Sequence, residues 1–268
     1  MRVGIVGCGT IGRTIVESLR DFAPVERLLL YDHVDARARE AAALNPKASV
    51  AASLDEVIAQ SDFVVEAASQ AGAREVAPRA LSAGKDLLLM SLGALSDDAF
   101  WNDLRAKAES SPGRLYLPSG ALGGLEAVVA GSQAGLEEAV LTTRKPPAAL
   151  KGVKYLEERG IHLGKITKPL LVFDGSAREA VRLFPANINV AAALSLAGLG
   201  FDRTRVRIIA DPASKTNRHH VRVRGAFGEL ECEVANVPAP GNPKTSYLAA
   251  LSAVATVKNA ARHIHFGP

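Results

Sequence analysis

The chain opens Arg2-Val3-Gly4-Ile5-Val6-Gly7-Cys8-Gly9-Thr10-Ile11-Gly12, and this stretch decides the fold. Val3 to Val6 is a short apolar run of the kind that fills a buried strand, and it runs straight into G-x-G-x-x-G. Behind it Ile15, Val16 and Leu19 recur at helical spacing, so the glycines sit on a strand-to-helix turn. In such a turn Gly7 permits the tight bend, Gly9 lets backbone approach a pyrophosphate, and Gly12 lets the helix pack on the strand. Thr10 and Ile11 stand at the start of the helix, where unpaired N–H groups and the positive dipole end face phosphates. A second apolar run, Leu28 to Tyr31, ends in Asp32, whose carboxylate is placed to accept ribose hydroxyls. The pattern predicts binding of a nicotinamide or flavin dinucleotide.

Working outward, strand and helix signals alternate over the first 120 residues. Apolar strands are expected at Phe63–Ala68, Asp86–Met90 and Arg114–Leu117, with helices opened by Ser53 (with Glu56 as a capping box) and by Ser96. Such alternation implies right-handed crossovers and a parallel sheet, with ligands beyond the C-terminal strand ends. That places Ala67 and Ala68 beside the cofactor. From Pro118 the rhythm changes. A glycine-rich turn, Ser119 to Gly124, leads into a helix, and strands are expected at 140–144, 166–174, 205–210, 219–224 and 229–234. Several of these alternate polar with apolar residues, as an antiparallel sheet with one wet face does. Helices fill the intervals, one capped by Ser176 and Glu179 and one running from Asn189 to Leu199, and Pro238–Pro243 reads as a rigid connector. The fold class is therefore α/β: a Rossmann dinucleotide-binding domain over 1–120, then an α+β substrate domain with a mostly antiparallel sheet over 121–243. A last helix within 244–268 is expected to pack back on the first domain.

Composition narrows the function classes. The chain has 268 residues and a net charge of +4, with its basic residues spread out apart from a cluster through Arg203–Arg224. With no aromatic platform or recognised motif behind these arginines, nucleic-acid binding is not expected. The start of the chain lacks the charged and apolar regions of a secretory leader, and no apolar run approaches a membrane span. Cys8 and Cys232 make neither a disulfide framework nor a metal cluster. A cytoplasmic protein without membrane attachment is the expectation.

A dinucleotide domain followed by an α+β domain suggests an oxidoreductase whose substrate lies between the two, and histidine is the obvious proton handler near neutral pH. Of six histidines, His33 follows the ribose-binding acid, His263 and His265 lie near the chain end, and His162 sits in a linker. That leaves Asn217-Arg218-His219-His220 at the start of a strand. Adjacent strand residues face opposite ways, so only one of the two imidazoles enters a cleft. Back-to-back histidines chelate one ion poorly and no carboxylate or thiol cluster supports them, so no metal is expected.

Several stretches together resemble the L-aspartate dehydrogenase family: Ser119–Leu125, Thr143-Arg144-Lys145-Pro146-Pro147, Phe184–Ala192, Ile209–Pro212, Asn217-Arg218-His219 and Asn242–Ser246. The resemblance runs in order over essentially the whole chain. It implies oxidation of L-aspartate to iminoaspartate with NAD or NADP, then oxaloacetate and ammonia, and the reverse reductive amination, which in some members feeds NAD synthesis. The family's catalytic histidine follows an Asn-x-His pattern that lands on His219, and its further cofactor contacts land on Gly123 and Asn189. The departure is the His219-His220 doublet. A base near pKa 7 suits release of a neutral amine. A dicarboxylate substrate needs donors at both ends, which Asn217, Lys244, Thr245 and Ser246 are candidates to supply. Lys244 also reads as a helix-start surface lysine, and Asn189 as a simple N-cap.

Two other readings differ in what they leave unexplained. Dihydrodipicolinate reductase shares the plan and a His-His pair, but its lysine and D-A-P-S-G-T loop are missing after the pair here. A non-catalytic NAD(H)-sensing protein would need only the first domain. Asp32 disfavours a 2′-phosphate while Arg37 and Arg39 lie close by, leaving NAD and NADP both open. A homodimer built on the second sheet is expected.

Overall fold

The computed structural model describes residues 1–184 and 189–264, without the side chains of Pro243 and Lys244. The elements in order are β1 (Arg2–Val6), α1 (Thr10–Ser18), β2 (Arg27–Tyr31), α2 (Asp35–Ala42), β3 (Ala48–Val50), α3 (Leu54–Gln60), β4 (Phe63–Glu66), α4 (Gln70–Ser82), β5 (Asp86–Leu89), α5 (Asp98–Ser110) and β6 (Leu115–Tyr116). They continue with α6 (Leu125–Ser132), β7 (Leu136–Lys145), α7 (Lys154–Glu158), β8 (Leu170–Ser176), α8 (Ala177–Leu183), α9 (Asn189–Ala197), α10 (Gly200–Arg203) and β9 (Arg205–Ala210). The last are β10 (Asn217–Gly225), β11 (Gly228–Asn236), β12 (Pro238–Ala239), β13 (Asn242–Ser246) and α11 (Tyr247–Ala260). The chain divides into two compact units: Met1–Gly120 with α11 from Ala249, and Ala121–Leu248.

The first unit carries a six-stranded parallel sheet in the order β3-β2-β1-β4-β5-β6. This is the strand order of a doubly wound dinucleotide fold, whose switch point lies between β1 and β4. The central strands are apolar on both sides because helices cover both faces. Val3 and Ile5 of β1, Leu28 and Leu30 of β2, and Phe63 and Val65 of β4 join one core with Ile15, Val16 and Leu19 of α1. Ala253, Val254 and Val257 of α11 belong to the same core.

The second unit carries a five-stranded sheet in the order β11-β10-β7-β9-β8. Three of its four pairings are antiparallel and the β7–β9 pairing is parallel, so the sheet is mixed. Alternation is plain in β9, where Val206, Ile208 and Ala210 are buried and Arg205 and Arg207 exposed. The buried face lies under α6, α8 and α9, and the other carries arginine–carboxylate pairs such as Arg218–Glu233 and Arg222–Glu229. Ser176 and Glu179 close a complete capping box on α8.

Four local expectations are corrected. The fifth helix is opened by Asp97 and not Ser96, because the Asp97 carboxylate reaches the N–H groups of Ala99 and Phe100. At α3 Ser53 caps the Glu56 N–H, but the Glu56 carboxylate returns to the N–H of Ala52, leaving the box half made. The strand expected at 166–174 spans Leu170–Ser176. The presumed connector 238–243 instead begins a hairpin of β12 and β13, which turns at Gly241 with φ of 74° and takes Ser246 out of the final helix. Among the described residues, no helix is long and apolar enough to cross a membrane, and no group of three or more His, Cys, Asp or Glu residues could hold a metal ion.

Candidate active site

In the first unit the glycine turn, the end of β2 and the end of β4 line one cleft of about 230 Å³. Gly7 has φ of 97°, and a Cβ there would lie 2.6 Å from the Ala67 carbonyl. A Cβ on Gly12 would lie 2.1 Å from the Gly7 carbonyl oxygen, so only glycine lets α1 start this close to β1. At Gly9 a Cβ would meet nothing within 4 Å, which leaves the space a pyrophosphate would fill. Gly9 is also the N-cap of α1 and contributes no side chain, so the N–H groups that begin at Thr10 and Ile11 are not capped by one.

Asp32 lines this cleft with Gly7, Gly9, Ala67 and Ala68. Its Oδ2 accepts from the Cys8 N–H at 2.8 Å and its Oδ1 from the Val34 N–H at 2.8 Å. The acid therefore ties the glycine turn to the end of β2, with lone pairs left for ribose hydroxyls. Arg37 borders the same cleft, while Arg39 is paired to Asp35 at 2.5 Å. Cys8 is buried, and burial beside Asp32 pushes its thiol up to about 12, so it serves packing.

A residue that sequence reasoning passed over organises the far wall. Glu66 ends β4 with no exposed surface. Its Oε1 accepts from the N–H groups of Ala68 and Ser69 and the Ser91 hydroxyl, and its Oε2 from the Ser91 N–H, at 2.9–3.0 Å. Burial raises its pKa, and these hydrogen bonds act against the rise. The signal was an acid closing the otherwise apolar run Phe63-Val64-Val65.

In the second unit the candidate residues gather at one end of the sheet. Asn217 opens β10 opposite Asn236 of β11, and Asn236 donates to the Ala121 carbonyl at 3.0 Å, pinning the glycine-rich loop. Gly123 in that loop stands against β11, where a Cβ would lie 3.1 Å from Cys232 Sγ. His219 is 3% exposed and lies opposite Thr143 of β7, whose Oγ1 is 3.0 Å from its Nδ1. His220 faces the other way, half-exposed and 3.8 Å from Glu231. Asn189 opens α9, exposed. Thr245 accepts a bond from Asn242 at 3.1 Å within β13, and Ser246 pairs with Pro238. The side chain of Lys244 and residues 185–188, the centre of the asparagine-rich stretch, lie outside the described residues.

The expectation of an imidazole titrating near neutrality is corrected. Burial first, and the charge of Lys145 second, push His219 down to about 3, so it is neutral at physiological pH. Lys145 itself is 5% exposed, and burial lowers it to about 8. Thr143 and Lys145 were missed as site residues. Their signal was a polar pair continuing the inward positions Ala139 and Leu141 of β7, where the alternation calls for apolar side chains.

Both units of the chain have relatives among known proteins. Residues 126–260 match the family described as aspartate dehydrogenase, C-terminal, and residues 7–118 match the NAD binding domain of homoserine dehydrogenase. The L-aspartate dehydrogenase of Methanosarcina barkeri is 43% identical over 100% of this chain and 99% of its own. That of Ralstonia pickettii is 40% identical over 98% and 99%. The crystal structure of aspartate dehydrogenase from Thermotoga maritima superposes with a TM-score of 0.77 at 29% identity, covering 100% of this chain and 99% of that one. A homoserine dehydrogenase from Thiobacillus denitrificans, at 17% identity and a TM-score of 0.61, shares the fold over 98% of this chain and 73% of its own. Matched over its whole length by these relatives and over residues 126–260 by the family model, the chain belongs to the L-aspartate dehydrogenase family.

Proposed function

We propose that this protein oxidises L-aspartate to iminoaspartate, which water converts to oxaloacetate and ammonia, and that it also runs the reverse reductive amination. The observation that carries the reading is the buried His219, bonded through Nδ1 to Thr143, in a chain that matches L-aspartate dehydrogenases end to end. When bound, the nicotinamide supplies the hydride acceptor. The protein has to hold the substrate and take a proton from its ammonium group, so that the amine lone pair pushes hydride off Cα. His219 Nε2 is the atom assigned to that proton, since Nδ1 is engaged by Thr143. Asn217, Thr245, Ser246 and Lys244 are proposed at the substrate carboxylates, and Gly123 and Asn189 at the cofactor.

The fit of the cofactor rests on the open space at Gly9 and the start of α1. Asp32 suits the ribose of NAD and Arg37 offers a partner to the 2′-phosphate of NADP, so both cofactors are proposed to serve. The wet, charge-paired face of the second sheet is the proposed homodimer surface, which light scattering on the purified protein would test. Free thiols at Cys8 and Cys232 fit a cytoplasmic setting.

A spectrophotometric screen of L-amino acids with NAD and NADP tests the activity. Aspartate is expected to exceed L-alanine and L-glutamate by about 10²-fold or more in kcat/KM, the effect of leaving a built polar contact unfilled. Equal rates, or none with aspartate, would overturn the assignment.

A further inference from the structure

Three polar side chains share the buried face of the second sheet: His219 of β10, and Thr143 and Lys145 two residues apart on β7. Thr143 and Lys145 line a cavity of about 10 Å³, room for about one water, with Leu141, Leu150, Phe184 and Ala191 as apolar walls. Lys145 is fixed in place, because its strand pairs with β9 and its carbonyl accepts from the Asp211 N–H at 2.8 Å. Its neighbour Arg144 points to the other face and pairs with Asp211 at 3.0 Å. Two groups that can each carry a positive charge are thus held together where water screens them little.

We propose that Lys145 is a positioning residue for His219, its ammonium opposing a second positive charge on the imidazole until an anionic substrate offsets it. The inference rests on the dehydrogenase reading above. In the free protein burial, with the charge of Lys145 added to it, holds His219 neutral and makes it a weak base. When a dicarboxylate binds, its negative charge cancels the effect of Lys145 and the imidazole regains basicity. The N–H bond of the substrate ammonium then breaks as an Nε2–H bond forms, leaving a neutral amine and an imidazolium stabilised by the substrate's own carboxylates. A substrate with a single carboxylate offsets less charge, so the same device favours aspartate over alanine.

The surroundings leave Lys145 as the charge that matters here. Val206 and Ile208 of β9, Ala180 of α8 and Val234 of β11 bring none to this face. Cys232 of β11 and Tyr155, whose ring lies 5.4 Å from that of Phe184, are titratable side chains of neighbouring elements, and the Asp211 carboxylate after β9 is paired with Arg144. Arg218 and His220 alternate to the opposite face, where they pair with Glu233 and Glu231.

The test follows the His219 imidazole by NMR in the full-length protein, with His219→Gln used to assign its signal and succinate as a non-reacting dicarboxylate. In the wild type, succinate should raise the proton affinity of His219 tenfold or more. In Lys145→Met the affinity should already be tenfold or more higher without succinate and respond to it less than threefold. The acidic limb of kcat/KM for aspartate should move to higher pH in the same variant. Lys145→Arg, which keeps the charge, should follow the wild type. An unchanged His219 titration in Lys145→Met overturns the proposal. Should that variant not fold, a wild-type imidazole that ignores succinate overturns it equally. Absence of aspartate turnover in the wild type would sink the dehydrogenase reading instead, and the titration of free Lys145→Met would still report on the lysine.

Discussion

Glu66 in the first unit and His219 in the second are both nearly sealed from water, yet their surroundings treat charge in opposite ways. Glu66 is met by three backbone N–H groups and a hydroxyl, enough partners to keep a carboxylate in place whether or not the site is working. His219 is met by one hydroxyl and by a nearby lysine that opposes its protonation. The first arrangement fixes a scaffold: the loop after β4, which borders the cleft at the glycine turn, is tied through Glu66 to the backbone at Ser91. The second holds a group away from one of its protonation states, and so leaves it something to change when a ligand arrives.

The largest effect should come from breaking the second arrangement. His219→Ala is expected to lower kcat by ~10²–10⁴-fold, the usual worth of a positioned acid–base group. The dissociation constant for NAD should stay within a few-fold, because the glycine turn and Asp32 belong to the other unit. His220→Ala should leave kcat within a few-fold, since that ring lies on the wet face beside Glu231. If His220→Ala is the inactive variant, the Asn-x-His pattern has been placed one residue off.

Breaking the first arrangement should show as stability and cofactor affinity. Glu66→Ala strands the buried N–H groups of Ala68, Ser69 and Ser91, and a loss of roughly 3 kcal/mol is expected from those unmet donors. Urea unfolding gives the loss, and a fluorescence titration should show weaker NADH binding in the same variant. Glu66→Gln keeps one acceptor and should recover part of both. A Glu66→Ala protein with wild-type stability would mean that water replaces the carboxylate.

The two groups should also respond to acid with opposite signs. His219 binds fewer protons folded, at about 3, than unfolded near 6.5, so the stability it leaves intact above pH 6.5 is lost as pH falls toward 3. At about 1.4 kcal/mol per pH unit, acidification from pH 6.5 to pH 5 removes about 2 kcal/mol from the second unit. Glu66 is raised instead, so its contribution is present below the unfolded value of 4.5 and lost as pH climbs through the folded one. Hydrogen exchange at pH 6.5 and pH 5 separates the units. Protection near β10 should drop on acidification, and protection near β4 should not.

This contrast matches what could be read from the residues. In the first unit both faces of the sheet are covered, so its strands are uninterrupted apolar runs and its glycines are forced by close approach; Gly7 and Gly12 stand out without coordinates. In the second unit each strand shows a wet face and a buried one, and the proposed site rests on which polar residues face inward. His219 is singled out by the Asn-x-His resemblance, and the alternation of β7 turns Thr143 and Lys145 inward, but what sets them beside His219 is the register of β7 against β10, which neither strand encodes alone. The hairpin of β12 and β13 was misread because three prolines suggest rigidity, while the turn itself depends on Gly241 alone. Ser96 and Asp97 are neighbours with similar capping power, and only the geometry of the first turn chooses between them.

Asp32 carries the smallest of the expected effects and the one most open to correction. The residue was visible as an acid at the end of the second strand, but its bonds to Cys8 and Val34 were not. If the carboxylate served ribose recognition alone, Asp32→Ala would weaken NAD and strengthen NADP, since a charge opposing the 2′-phosphate is removed while Arg37 remains in the cleft. Because it also fixes the N–H of Cys8 between the two glycines, its loss loosens the turn that both cofactors share. The expected outcome is therefore asymmetric: roughly tenfold weaker NAD, about 1.4 kcal/mol, with NADP affinity changed less than threefold as the two consequences offset. Dissociation constants for both cofactors, measured by fluorescence titration on the same preparation, decide it. Equal weakening would make Asp32 a brace for the glycine turn and would take ribose recognition away from it.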